Sequence, residues 1–218
     1  KEYTGSYGTN GFYLPFKPTT QATGFNTVTY AGNGGTQSIT GVGFEPDLVW
    51  IKNRGFANSH QLVDSVRGAT KHVFSNATDQ EYTYANGLTS FNTDGFSIGN
   101  LNDVNNASYN YVAWCWDAGS GSPVSNTDGT ITSTIKANPA TGFSVVTYTG
   151  TSAIATIGHG LGVAPKMIIV KNRTVAGDPA GDWWTWHTSI GINQYIRLNL
   201  SNAVGSSTTT WNNTLPTS

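Results

Sequence analysis

The chain has 218 residues and a formal net charge of −1, a length that allows one large or two small domains. Charged residues make up only 11% of it, against roughly 25% in ordinary soluble domains, and 31 Thr and 26 Gly lead a neutral polar composition. The 12% of aromatic residues and the shortage of strong helix formers exclude ordinary disorder and argue against a helical protein.

The predicted elements begin with a lead-in segment, residues 1–23, followed by a first β-rich repeat, residues 24–117. In that repeat Val28 and Tyr30 alternate with threonines, a period of two that predicts a strand. The run Leu48-Val49-Trp50-Ile51 is continuously apolar, which predicts a strand buried on both faces. Two further strands are predicted at Asp94–Ile98 and Tyr111–Trp116.

The stretch 118–141 is rich in Gly, Ser, Pro and Asn, and we expect it to be a linker to a second repeat, residues 142–218. An alternating segment recurs there at Val146–Thr149, and the continuous apolar run Met167–Val170 again predicts a strand buried on both faces. The matched positions are Tyr30 with Tyr148, Pro46 with Pro165, and Lys52-Asn53-Arg54 with Lys171-Asn172-Arg173. Because about thirty residues stay in register, the sequence predicts two tandem homologous domains.

Turn dipeptides such as Asn-Gly and Asp-Gly separate short strands at intervals of about eight to twelve residues. This spacing predicts an all-β fold of two tandem β-sandwiches, jelly-roll-like in form. The second repeat reaches Ser218 just after Trp211, before any counterpart of Asp94–Ile98 or Tyr111–Trp116. We therefore expect its sandwich to be incomplete at the C-terminus. Either the chain continues or a partner supplies the missing strand, since an open strand edge must be covered.

The sequence contains no pattern that points to a metal or a cofactor. Its four histidines, His60, His72, His159 and His187, share no close ligand spacing, and the single Cys115 cannot build a structural zinc site. That lone cysteine also excludes an intramolecular disulfide. No apolar run approaches the ~20 residues of a membrane span, and the scattered basic residues argue against nucleic-acid binding.

Glycoside hydrolysis would need two convergent carboxylates. The candidates are Glu45, Asp47, Asp64, Asp94, Asp117, Asp178 and Asp182. Nothing marks any of them as catalytic, and Glu45-Pro46-Asp47 corresponds to Ala164-Pro165-Lys166 in the second repeat, which has neither acid. We predict a protein that is not an enzyme, with no catalytic residue.

The strongest candidate for a binding site is aromatic: Trp183, Trp184 and Trp186 lie within four residues of one another. In a strand, Trp184 and Trp186 share one face while Trp183 points to the other. Flat aromatic rings beside Asp and Asn are typical of sugar-binding surfaces, so stacking on a sugar is one hypothesis for these three residues. The alternative, which we favour, is packing in the core or at an interface.

Longer strings give the chain a family resemblance. The first repeat contains GVGFEPDLVWIKNR, DSVRGATK, TSFNTDGFSIG and YVAWCWDAG, and the second contains GLGVAPKMIIVKNR and WNNTLPTS. These strings resemble a repeated β-rich module of tail-fibre and structural proteins of marine bacteriophages. The stretch Tyr7–Leu14 resembles the end of a concanavalin-like domain that precedes this module. The resemblance covers almost the whole chain, but it brings no catalytic or binding residue with it.

The resemblance implies a non-enzymatic virion structural protein, located at the particle surface in the tail. It would be a tail-fibre module for host attachment or spacing, with other virion proteins and host surface polysaccharide as partners. Assembly as a homo-oligomer is expected, a trimer by analogy with fibres in general. Two alternatives stay open: a capsid decoration or extracellular filament subunit that assembles by strand exchange, and a polysaccharide depolymerase.

Overall fold

The computed structural model describes residues 23–218, so the stretch Tyr7–Leu14 and the rest of the lead-in up to residue 22 lie outside it. The first repeat contains β1 (Phe25–Ala31), β2 (Gln37–Thr40), β3 (Leu48–Asn53), β4 (Gln61–Asp64), β5 (Lys71–Phe74), β6 (Tyr82–Thr83), β7 (Leu88–Asn92), β8 (Gly95–Ile98), α1 (Asn102–Asn105) and β9 (Asn110–Trp116). The remaining strands are β10 (Val124–Asn126), β11 (Ser133–Asn138), β12 (Phe143–Thr147), β13 (Met167–Lys171), β14 (Trp183–His187), β15 (Gln194–Arg197) and β16 (Gly205–Ser206). In the described part of the chain, no helix has the length and apolar character needed to cross a membrane.

The first repeat is a sandwich of two antiparallel sheets. A six-stranded sheet has the order β1-β9-β3-β4-β5-β6, and a three-stranded sheet has the order β2-β8-β7. The core between them is formed by Ile39, Val42, Val49, Ile51, Val63, Leu88, Phe96, Ile98, Val104, Tyr111, Ala113 and Cys115. The prediction of an all-β sandwich is confirmed. The Leu48–Ile51 run forms a strand within it, but the prediction that both faces are buried is wrong: Val49 and Ile51 are fully buried, whereas Leu48 and Trp50 are half-buried.

Strand β9 lies inside the larger sheet, paired antiparallel with β1 on one edge and with β3 on the other. Its inward side chains, Tyr111, Ala113 and Cys115, are fully buried. The small side chains of Ala113 and Cys115 leave room for the facing side chains of the second sheet, and the Tyr111 ring packs in the same core. Burial raises the pKa of the Cys115 thiol to about 12, so this thiol stays protonated and unreactive.

The segment 118–141, expected to be a linker, contains two strands, β10 and β11. Together with β12 they form a three-stranded antiparallel sheet. In β11 the buried Ser133 and Ile135 alternate with the exposed Thr134, which is the period of two expected of a strand. The linker prediction rested on composition and did not take this alternation into account. Lys136 of the same strand makes a buried ion pair with Asp47 of the first repeat, with Nζ and Oδ1 2.6 Å apart.

The second repeat is built differently, although its strands follow the same order. Strands β13 to β16 form a four-stranded sheet, and β12, the counterpart of β1, belongs to the sheet of β10 and β11 instead. No strand among residues 23–218 corresponds to β9 in the second repeat. Consequently β12 and β13 are both edge strands, whereas their counterparts β1 and β3 are joined through β9.

Buried His72 makes the first repeat sensitive to pH. The Leu88 amide donates to its Nε2 atom, and its Nδ1 atom lies 2.8 Å from Gln61 Oε1, a pair of contacts that fits the neutral ring. Burial, with a contribution from the nearby Arg67, lowers the pKa of His72 to about 4. The unfolded chain binds this proton more readily, so stability is complete above the unfolded pKa and falls as pH drops from there toward 4.

We therefore expect the free energy of unfolding to be about 2 kcal/mol smaller near pH 5 than near pH 7.5 because of His72 alone. Urea denaturation of the chain and of His72→Gln at both pH values measures this difference. The variant should lose markedly less stability between the two pH values than the native chain. An equal loss in both proteins would contradict the assignment.

Candidate functional site

The tryptophan cluster lies where the two repeats meet. Trp183 of β14 is only 5% exposed and packs against Leu62 and Val73 on the outer face of the first repeat. Its indole Nε1–H donates to the backbone carbonyls of Phe74 at 2.7 Å and Ala77 at 3.2 Å. Both the ring and its one polar atom are thus used inside the protein.

The other two tryptophans are also occupied by protein contacts. Trp186 is 5% exposed. Trp184 is half-buried: the Tyr195 ring lies 4.7 Å from it and the Arg197 guanidinium carbon lies 4.8 Å from its ring centroid. A sugar stacks only on a ring face that is open to solvent, and the rings of Trp183 and Trp186 are almost completely buried. Trp183 instead packs at the interface between the two repeats, as the alternative hypothesis predicted.

A chain of charges crosses the same interface. Glu81 of the first repeat accepts from Arg67 Nη1 at 3.0 Å, and from Nε and Nη2 of Arg173 in the second repeat at 2.9 and 3.0 Å. Arg67 is in turn ion-paired with Asp64. Burial alone would raise the pKa of the Glu81 carboxyl, but the hydrogen bonds from both arginines outweigh it and lower that pKa. Glu81 therefore links the repeats as a charged group.

Backbone contacts complete the junction. The Glu81 amide donates to the Arg173 carbonyl at 2.8 Å, and Lys171 Nζ donates to the carbonyls of Thr78 and Gly181. Gly181 lies so close that a Cβ there would be 2.1 Å from the Thr78 carbonyl oxygen, which explains why the position has no side chain. The repeats form one closely packed unit.

The duplicated Lys-Asn-Arg motif keeps one role and changes another. Asn53 accepts from the amides of Gly55 and Phe56, and Asn172 accepts in the same way from Thr174 and Val175. Both asparagines thus cap the turn that ends the strand. Only the arginine of the second copy, Arg173, forms the salt bridge to Glu81 across the junction.

The candidate carboxylates are engaged within the protein, Glu45 excepted, which is exposed. Four of them form ion pairs: Asp47 with Lys136, Asp64 with Arg67, and both Asp178 and Asp182 with Arg197. The other two accept hydrogen bonds from backbone amides, Asp94 from Gly41 and Gly43, and Asp117 from Gly119. Over residues 23–218, no group of three His, Cys, Asp or Glu side chains is placed to hold a metal ion.

An aromatic pair that the sequence analysis missed, exposed Phe56 and half-buried Tyr109, lies just after the end of β3. Phe56 is 56% exposed and stacks on Tyr109 with ring centroids 5.5 Å apart. Beside it is an open groove of about 270 Å³, lined by Arg54, Gly55, Ser108, Tyr109 and Asn110. The two aromatics are far apart in sequence, so only the fold reveals them as a pair.

Trp183→Ala should lower the free energy of unfolding by about 3–5 kcal/mol, because it leaves a cavity at the junction and removes the donor to two carbonyls. Trp184→Ala, which changes a half-buried neighbour, is the matched control and should cost about 1 kcal/mol. Urea denaturation measures both. Similar costs for the two variants would contradict the structural role given to Trp183.

Glu81→Gln should lower the free energy of unfolding by roughly 1–3 kcal/mol, because Arg67 then loses one of its two charged partners in a mostly buried site and Arg173 loses its ion pair across the junction. Exposed Glu45→Gln is the control and should change stability by less than about 0.5 kcal/mol. Because the pKa of Glu81 is lowered, its contribution is complete above the unfolded pKa and is lost on acidification. A loss that is the same at neutral and acidic pH would argue against the ion pairs.

A family model matches residues 20–218 of the chain, and its description is a domain of unknown function, DUF7483. No curated protein and no solved structure matches the chain significantly. The match covers both repeats and the strands between them. The chain therefore belongs to the DUF7483 family of domains of unknown function.

Proposed function

We propose that the chain is a non-enzymatic structural module of a bacteriophage virion, carried in a tail fibre as a spacer and host-contact element. The resemblance of the repeat strings to tail-fibre modules supports this proposal. So does the composition: few charges and many backbone-paired neutral residues make stability less dependent on salt.

The observation that carries the proposal is the junction between the repeats. A spacer must transmit orientation, so its units should not hinge freely. Trp183, Glu81 and Lys171 each make contacts across the junction, combining apolar burial, charge pairing and backbone hydrogen bonds. The pairing of the carboxylates favours a structural role over a depolymerase, which needs two carboxyl groups free to face a substrate.

Host contact, on this proposal, uses the Phe56–Tyr109 pair in place of the tryptophans. An exposed aromatic surface beside Arg54, Ser108 and Asn110 offers an apolar face for a sugar ring and a polar rim for its hydroxyls. Host surface polysaccharide is the proposed ligand class. Homo-oligomerisation, as a trimer, and contact with other virion proteins belong to the same proposal.

Electron microscopy of phage particles labelled with an antibody to this chain tests the location. Label at the distal tail is the expected result. Label on the head, or on filaments without phage, would overturn the tail-fibre proposal and favour the alternative of a capsid decoration or filament subunit.

Glycan-array binding tests host contact separately. The native chain should bind a subset of surface polysaccharides, and Phe56→Ala should reduce that binding at least about tenfold, as expected for loss of a stacking platform. Trp184→Ala should bind as the native chain does. Binding that survives Phe56→Ala and is lost in Trp184→Ala would return the contact site to the tryptophan cluster.

A further inference from the structure

The two repeats provide an internal comparison that shows where a strand is missing. In the first repeat β9 fills the space between β1 and β3, pairing with both. The sequence matches make β12 the counterpart of β1 and β13 the counterpart of β3. Strand β12 pairs only with β11, and β13 only with β14, so each keeps one free edge within residues 23–218. We call these two free edges the acceptor site.

Side chains at the acceptor site are more exposed than their counterparts. Tyr30 stacks on Tyr111 of β9 with ring centroids 5.2 Å apart, and its hydroxyl donates to the Val104 carbonyl. Its counterpart Tyr148 is 41% exposed. Without a β9, this tyrosine has no such ring to stack on among the described residues.

The same contrast holds along β13. Trp50 of β3 lies against Trp114 and Trp116 of β9, and Leu48 and Trp50 also pack against the apolar group formed by Leu62, Val73 and Trp183. Their counterparts Met167 and Ile169 are 51% and 41% exposed. Exposed apolar side chains beside free backbone donors and acceptors are the features of an edge that accepts a strand.

We propose that the acceptor site binds one extended strand that has the chemistry of β9 and runs antiparallel to both β12 and β13. The register follows from the first repeat, where Trp116 lies opposite Phe25 and Leu48, and Tyr111 lies opposite Tyr30 and Asn53. The bound strand places an aromatic residue opposite Phe143 and Met167, and a second opposite Tyr148 and Asn172.

The alternation of β9 defines the occupant further. In β9 the inward positions are aromatic at one end and small thereafter, as Tyr111, Ala113 and Cys115 show, and the outward Trp114 and Trp116 are bulky and apolar. An occupant with the chemistry of β9 repeats this alternation. The occupant is not β9 of a second copy, because that strand is already paired on both edges and its inward residues are fully buried. This inference does not depend on a virion location.

The test is to append a second copy of residues 94–117, which contains β8, α1 and β9, directly after Ser218. NMR-detected hydrogen exchange should show that amides of β12 and β13 facing the acceptor site exchange at least about tenfold more slowly than in the native chain. The fluorescence of the chain should also report a higher unfolding temperature. The extended chain should stay monomeric.

The control carries Ala113→Arg and Cys115→Arg in the appended copy only, which places charges on its inward face. It should exchange as the native chain does. A synthetic peptide of residues 94–117 added to the unmodified chain gives the same readout without any change to its folding, and slowed exchange in β12 and β13 is again expected.

Three outcomes would overturn the proposal. One is unchanged exchange at β12 and β13 with both the appended copy and the peptide. Another is equal protection by the arginine-bearing control. The third is a dimer of the native chain whose β12 and β13 amides are already protected, since a second copy would then be the occupant. These outcomes do not depend on where the antibody labels the phage particle, so this proposal and the tail-fibre proposal can fail separately.

Discussion

The fold of the first repeat depends on β9, the strand that joins β1 to β3 and closes the core with its inner face. Strand β1 pairs with no other strand of the large sheet, so β9 alone connects it to β3 and the strands beyond. Removing it would free both edges and expose the inward side chains of β3. Among residues 23–218 the second repeat has no strand at this position. Strands β12 and β13 belong to two separate sheets, and each has one free edge.

The junction shows how the second repeat is stabilised without a β9. Trp183 buries its ring against the first repeat, and Arg173 and Lys171 extend to Glu81 and to the Thr78 carbonyl. Part of the apolar surface of the second repeat is thus buried against residues of the first repeat. This dependence gives the pair a fixed orientation, which is the property that a spacer requires, and it leaves the acceptor site on the side away from β14.

Sequence patterns predicted the strands whose burial is local. The apolar run at Leu48–Ile51 and the alternation at Val28 and Tyr30 were sufficient to locate strands, although the run did not show that only one face of β3 is fully buried. The internal repeat predicted that counterparts of Asp94–Ile98 and Tyr111–Trp116 are missing. Periodicity assigned Trp183 to a face but could not say what covers that face, because the covering residues are more than a hundred positions away. The strands in 118–141 were missed because their alternation uses Ser and Ile within a stretch that resembles a linker. The Phe56–Tyr109 pair could not be predicted from the sequence, because only the fold brings these two residues together.

Residue-resolved hydrogen exchange on the unmodified chain tests most directly whether β3 is paired on both edges and β13 on only one. Because β3 is paired on both edges, consecutive amides from Val49 to Lys52 should be protected. Because β13 is paired only with β14, alternate amides from Ile168 to Lys171 should exchange as quickly as in an unpaired edge strand. Protection at every amide of both strands would contradict the claim that the position of β9 is open in the second repeat.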